Sequence, residues 1–146
     1  MTDSLKIKSP QTQTEFDEYY NLRWEMLRKP WNKEPGSEKD EGDKNALHFM
    51  AMINDSIAGV ARLQFNSPNQ AQLRYMAVSS NHQKNGIGSA LLNRLEAIAK
   101  ENGATELILQ ARDVALDFYK SNQYIIIEKT YLLFDSIQHY LMKKEL

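Results

Sequence analysis

The stretch Gln83-Lys84-Asn85-Gly86-Ile87-Gly88 constrains this chain most, because it separates two segments of different hydrophobic period. Before it, Gln72 to Val78 reads as a strand. After it, Leu91, Leu92, Leu95, Ile98 and Ala99 fall on one face of a helix running from about Gly88 to Asn102. Glycine has no Cβ, so the chain can turn tightly there and come close to another molecule. A helix that begins at once points its free N–H groups and positive dipole end at whatever the loop holds. The spacing therefore predicts an anion cradle suited to phosphate. The plainer alternative is a tight strand-to-helix turn with no ligand.

Alternating and helical patterns continue on both sides. Leu5 to Lys8 predicts a short strand, and Phe16, Tyr20, Arg23 and Leu27 predict a helix from about Glu15 to Arg28, capped by Thr14. Pro30, Pro35 and Gly36 interrupt it, and the charged segment to Lys44 reads as a long loop with at most one short helix. Leu47–Ile53, Ser56–Phe65 and Gln72–Val78 then form a meander with turns at Asn54-Asp55 and at 66–69. Gly103 ends the long helix, on whose outer face Glu96 and Lys100 are spaced to pair. Strand Glu106–Ala111 follows, so strand, helix and strand make a right-handed parallel crossover. Asp113 starts a short helix, and Tyr124–Lys129 and Ile137–Lys143 predict a closing antiparallel pair. The fold class is α/β in a mixed α+β sheet, mostly antiparallel, with one parallel β-α-β crossover and helices on both faces. Residues 1–146 are expected to form a single domain.

A dinucleotide fold is the sharpest competitor, since Gly86-Ile87-Gly88 begins a GxGxxG pattern. Leu91 stands where the third glycine belongs, and the preceding meander is wrong for such a fold. It is rejected.

Taken in order, these features resemble the GNAT superfamily of acyl-CoA N-acyltransferases. The resemblance rests on the strand ending Met76-Ala77-Val78, on the loop pattern of Gln or Arg, two residues, Gly, one residue, Gly or Ala, and on Ala115-Leu116-Asp117-Phe118-Tyr119 before a last strand pair. It covers about Ala46 to Tyr140 and implies acetyl-CoA as co-substrate. It places the pyrophosphate on Gln83, Lys84, Asn85, Gly86, Ile87, Gly88 and Ser89, and the pantetheine amides along Met76, Ala77 and Val78. By the same resemblance Tyr119 is the acid that protonates the leaving thiolate. Packing a helix on the sheet is the plain alternative for that residue. The implied reaction is acetyl transfer to a primary amine of a small molecule or peptide, by direct attack in a ternary complex. A non-catalytic acyl-CoA-binding sensor or interaction domain of the same fold is the alternative.

The chain departs from the family pattern at three places. Arg112 replaces the usual Asn and reads either as a side chain reaching the cofactor or as an exposed strand end whose carbonyl matters more, and Gln123-Tyr124 replaces Gly-Phe. Arg74 stands where many members carry a Glu, so that base does not transfer. Base candidates are then Glu41 and Asp43, from a charge run that also reads as a solvated loop, and His139, which is equally a satisfied core histidine. His48 has the same ambiguity, and His82 is expected on an exposed loop. The acidic loop with Trp24 and Trp31 suits a cationic or aromatic amine.

Composition narrows the partners. Eighteen Lys plus Arg against nineteen Asp plus Glu give a net charge of −1, which argues against nucleic acid. Cysteine is absent, which excludes a thiol nucleophile and cysteine-ligated zinc, and three scattered histidines predict no metal site. Residues 1–6 lack a signal-peptide core and no apolar run is long enough to span a bilayer, so a cytoplasmic protein is expected. The final strands can pair between subunits of a homodimer.

Overall fold

The computed structural model describes residues 4–83 and 85–146. Its elements are β1 (Leu5–Lys8), α1 (Gln13–Leu27), β2 (Leu47–Ile53), β3 (Ser56–Ser67), β4 (Gln70–Val78), α2 (Ile87–Glu101), β5 (Glu106–Arg112), α3 (Leu116–Ser121), β6 (Ile125–Leu133) and β7 (Ile137–Glu145). All seven strands join one sheet in the order β1-β2-β3-β4-β5-β7-β6. The β4–β5 pair is parallel, and the others are antiparallel. This is the mixed sheet that the change of period predicts.

Helices cover both faces. On one, α2 buries Ile87, Leu91, Leu92, Leu95 and Ala99, and the last four pack with Leu63, Leu73, Leu107 and Leu109 of the sheet. Each buried Leu is worth about 1.5–3 kcal/mol. On the other face, Tyr19 and Leu22 of α1 pack on Met50, Val60 and Ala77. The cap of α1 lies two residues before the expected one. Thr12 Oγ1 accepts from the Glu15 N–H at 3.1 Å, and the Glu15 carboxylate accepts from the Thr12 and Gln11 amides. Glu15 also pairs with Lys8, so the same residue that closes the cap fastens the helix to β1. Glu96 does not pair with Lys100. It is largely buried and accepts from the Tyr124 hydroxyl at 2.8 Å and Lys144 Nζ at 3.0 Å, tying α2 to β7 and to the residue before β6.

One irregularity shapes the molecule. The β3–β4 register runs from Val60↔Ala77 to Arg62↔Arg74, so Tyr75 and Met76 together oppose Ala61. This is a β-bulge, and Tyr75 takes φ +54°, a left-handed conformation rare for an aromatic residue. The parallel β4–β5 ladder stops at Leu73↔Leu109, just before it. Beyond that point β4 and β5 part, and the gap between them opens a cleft.

Candidate active site

The cleft is lined by Leu73 to Met76 of β4, Leu109 to Arg112 of β5, Tyr119 of α3 and His139 of β7. Its outer wall comes from Arg28 and Trp31 after α1 and from Tyr131 of β6. Because the ladder ends at Leu73, the β5-facing backbone groups of 74–78 have no strand partner there. Buried backbone groups need partners, so this edge is suited to an extended amide-bearing ligand.

The glycine loop lies at the end of β4. Gly86 caps α2 at φ +78°, and the first helical bond is Ala90 N–H to Gly86 O at 3.0 Å. No side chain of the described residues caps this turn, and among them no group accepts from the amides of 87–89, which suits an anion. Gln83 Nε2 donates to the Val78 carbonyl at 3.1 Å and fixes the loop to the strand end. Gly88 has a packing reason as well: a Cβ there would lie 3.1 Å from Phe118 Cζ. Ile87 is buried against Ala51 and Ala58, so only its amide faces outward. Asn122 Nδ2 lies 3.5 Å from Ser89 Oγ, and Lys84 lies outside the described residues.

Tyr119 is held edge-on between Phe118 and Tyr124, with ring centroids 5.0 and 5.8 Å away. Burial pushes its phenol well above the ordinary value, with the Arg112 charge opposing. No group of the described residues hydrogen-bonds its hydroxyl, which leaves a neutral O–H at the cleft wall. His139 is buried and lies opposite Arg112 in the β5–β7 ladder. Its Nδ1 is 3.0 Å from the Ile137 carbonyl, which can only accept, so Nδ1 carries the hydrogen and Nε2 is left as an acceptor. Its ring stacks on Tyr131 at 4.4 Å. Burial lowers its pKa below 6.5, aided by Arg112, and the imidazole is neutral at pH 7.

The acidic candidates go elsewhere. Glu41 is 92% exposed, pairs with Lys44 and does not line the cleft. Asp43 is not part of a solvated loop either. It accepts from Arg23, Arg62 and the Asp40 amide at 2.9–3.2 Å. Burial raises its pKa, but the Asp40 amide and the two guanidiniums outweigh that and hold it below the usual range. A carboxylate so fully engaged is a poor base. His48 is likewise satisfied, with ring nitrogens 2.8 Å from the Tyr19 hydroxyl and the Asp43 carbonyl. His82 is half-buried, bonded to Ser79 Oγ at 2.7 Å.

Sequence reasoning missed the arginine cluster beneath the outer wall. Arg23, Arg28, Arg62 and Arg74 all place their guanidiniums within 4.5–5.7 Å of the Tyr75 ring centroid. Asp40 ties it together, accepting from the Tyr75 hydroxyl at 2.9 Å and pairing with Arg62. The available signal was Arg23 itself, standing in the apolar series of α1.

Comparison with known proteins gives this geometry a family. Residues 16–123 match the acetyltransferase (GNAT) family. Among curated proteins, the chain is 24% identical over 141 residues to the uncharacterized N-acetyltransferase YjcF of Bacillus subtilis, covering 97% of this chain and 100% of that one. It is 28% identical over 111 residues to streptothricin acetyltransferase A of the same organism, covering 70% and 63%. Among solved structures, a protein from Lactobacillus plantarum superposes with a TM-score of 0.86 at 19% identity, over 99% of both chains. A GNAT family acetyltransferase from Elizabethkingia anophelis with acetyl-CoA bound gives 0.80 at 17%, over 99% of this chain and 100% of that one. No helix of the described residues is long and apolar enough to cross a membrane. With the parted strands and uncapped helix start in place, the match over residues 16–123 means that this chain belongs to the GNAT acetyltransferase family and is an acyltransferase.

Proposed function

We propose that the chain transfers an acetyl group from acetyl-CoA to a primary amine of a small molecule or peptide, by direct attack in a ternary complex in the cytoplasm. The observation that carries this reading is the unpartnered Tyr119 hydroxyl at the cleft where β4 and β5 part. The open amides of 87–89 fit a pyrophosphate, and the free edge of 76–78 fits the pantetheine amides. The Elizabethkingia relative in complex with acetyl-CoA supports the same co-substrate.

An alkylamine with a pKa near that of Lys, about 10.4, has its reactive neutral form some 4–5 kcal/mol uphill at pH 7. His139 Nε2 is the reading's proton acceptor for the amine, reached through water. An amide of the bulged strand near Val78 stabilises the oxyanion. As the C–N bond forms and the C–S bond breaks, the Tyr119 hydroxyl donates its proton to the departing sulfur. Arg112, close enough to Tyr119 to act on its pKa, serves the same end of the cleft.

The apolar, exposed outer strand β6, with Ile125 60%, Ile127 47% and Leu132 52% exposed, supports self-association into a homodimer. Release of free thiol from acetyl-CoA with a panel of amines tests the transfer. Thiol release that depends on amine is the expected result. Binding of acetyl-CoA with no turnover of any amine would move the chain to the binding-domain reading.

A further inference from the structure

The charges lining the cleft are all of one sign. Arg28, Arg74 and Arg112 contribute, and none of the described lining residues is Asp, Glu or Lys. Two of these three lie toward the α1 side: no carboxylate of the described residues pairs with Arg28, and Arg74 shares Asp40 with Arg62. Arg28 donates only to backbone carbonyls, Leu27 O at 2.9 Å and Ser37 O at 3.2 Å, so its Nη2 has no partner among the described residues. Arg74 comes no nearer than 3.7 Å to Asp40, whose oxygens are already held by Arg62 and the Tyr75 hydroxyl. Asp40 and Asp43 are shared among Arg23, Arg62 and Arg74, and the buried Glu38 carboxylate nearby accepts from the Gly36 amide. Both guanidiniums lie beside the Tyr75 ring. Their Cζ atoms are 5.7 and 5.0 Å from the Tyr75 ring centroid, and both act on the phenol of Tyr131 in the outer wall.

Two guanidiniums at a cleft that no carboxylate of the described residues lines repel an ammonium and attract a carboxylate or phosphate, for which the guanidinium fork is matched. We propose that the acceptor is an amine that also carries an anionic group, carboxylate or phosphate, bound between Arg28 and Arg74. This rests on the acetyl-transfer reading of the cleft and replaces the cationic acceptor that the acidic loop suggests. The same charges serve the chemistry. They disfavour the protonated amine and so lower its pKa, while the anion on the acceptor offsets the repulsion. Trp31 and Tyr131 give the acceptor's carbon skeleton an aromatic wall.

The test uses the full chain with saturating acetyl-CoA and matched acceptors: simple amines, diamines, α- and ω-amino acids, and aminoalkyl phosphates. One arm of anionic amines is expected to exceed its matched neutral and cationic partners by about tenfold or more in kcat/KM, from one charge-assisted contact. Which arm does so tells carboxylate from phosphate. Arg28→Gln and Arg74→Gln are each expected to raise the acceptor KM about tenfold while leaving the acetyl-CoA KM within about twofold. The unchanged acetyl-CoA KM also reports that the variants fold. Arg74→Glu is expected to turn the preference toward diamines. Turnover that is equal or better for simple amines and diamines overturns the proposal and leaves acetyl transfer standing. A rise in the acetyl-CoA KM alone overturns it by assigning the arginines to the donor. Absence of turnover on every amine, with acetyl-CoA bound, removes both.

Discussion

His139 owes the features that suit its proposed role as proton acceptor to its neighbours. The Ile137 carbonyl fixes its tautomer, Tyr131 fixes its plane, and burial keeps it neutral. Its folded-state pKa lies below the ordinary 6.5, so the neutral form persists through neutral pH and is lost only as pH falls below that value. Acetyl transfer is therefore expected to decline on the acid side below about 6.5, and His139→Asn is expected to lose about 100-fold in kcat together with that limb. A pH–rate profile of both proteins checks this; an acid limb unchanged in the variant assigns it to another group. Tyr119 was legible in the sequence because it stands at the end of a run of matching residues. His139 was legible only as a choice between two roles, since alternation says which face a residue takes but not which ring nitrogen is free. Arg28 was not legible as a cleft residue, because a charged residue at a helix end reads as solvated until the fold brings it to a cleft, and Arg74 was legible only as the residue in place of the family's usual Glu.

Among elements, the strands and α2 followed from period and turn chemistry, and β2 ends where Asn54 takes positive φ. The bulge at Tyr75 did not, because nothing in Arg74-Tyr75-Met76 requires a left-handed residue; the ring is held there by the surrounding guanidiniums and Asp40. The charge run around Glu41 and Asp43 reads in sequence as base candidates or a solvated loop, yet the segment Glu41–Asn45 folds over Arg23 and Arg62, which are 0% and 1% exposed. Gly42 permits this close approach, since a Cβ there would lie 2.6 Å from Arg62 Nη2. Asp43→Asn leaves two buried guanidiniums short of a counter-charge and is expected to cost about 3–5 kcal/mol, measured by urea unfolding. The pH sign follows from the depressed Asp43 value. Its contribution is complete above the ordinary 3.8 and is lost as pH falls through that value toward the lower folded one. The wild type should therefore lose stability across that acid range more steeply than Asp43→Asn; parallel curves would remove the buried pair from the account.

At the scale of the whole molecule, the change of hydrophobic period around Gln83–Gly88 made the crossover and the mixed sheet readable. The parting of β4 and β5 was not readable, because it depends on register, and register is a relation between strands. Homodimerisation through β6 predicts a sedimentation coefficient of a dimer that Ile127→Lys and Leu132→Lys shift to that of a monomer; a monomeric wild type removes this assembly. The central claim is that the cleft performs acetyl transfer with the Tyr119 hydroxyl as the acid. Its most direct measurement is the rate of thiol release by wild type and Tyr119→Phe at saturating acetyl-CoA and amine, alongside acetyl-CoA affinity. The account predicts a kcat lowered by about 10²–10⁴-fold in the variant with affinity unchanged. Equal rates would contradict it.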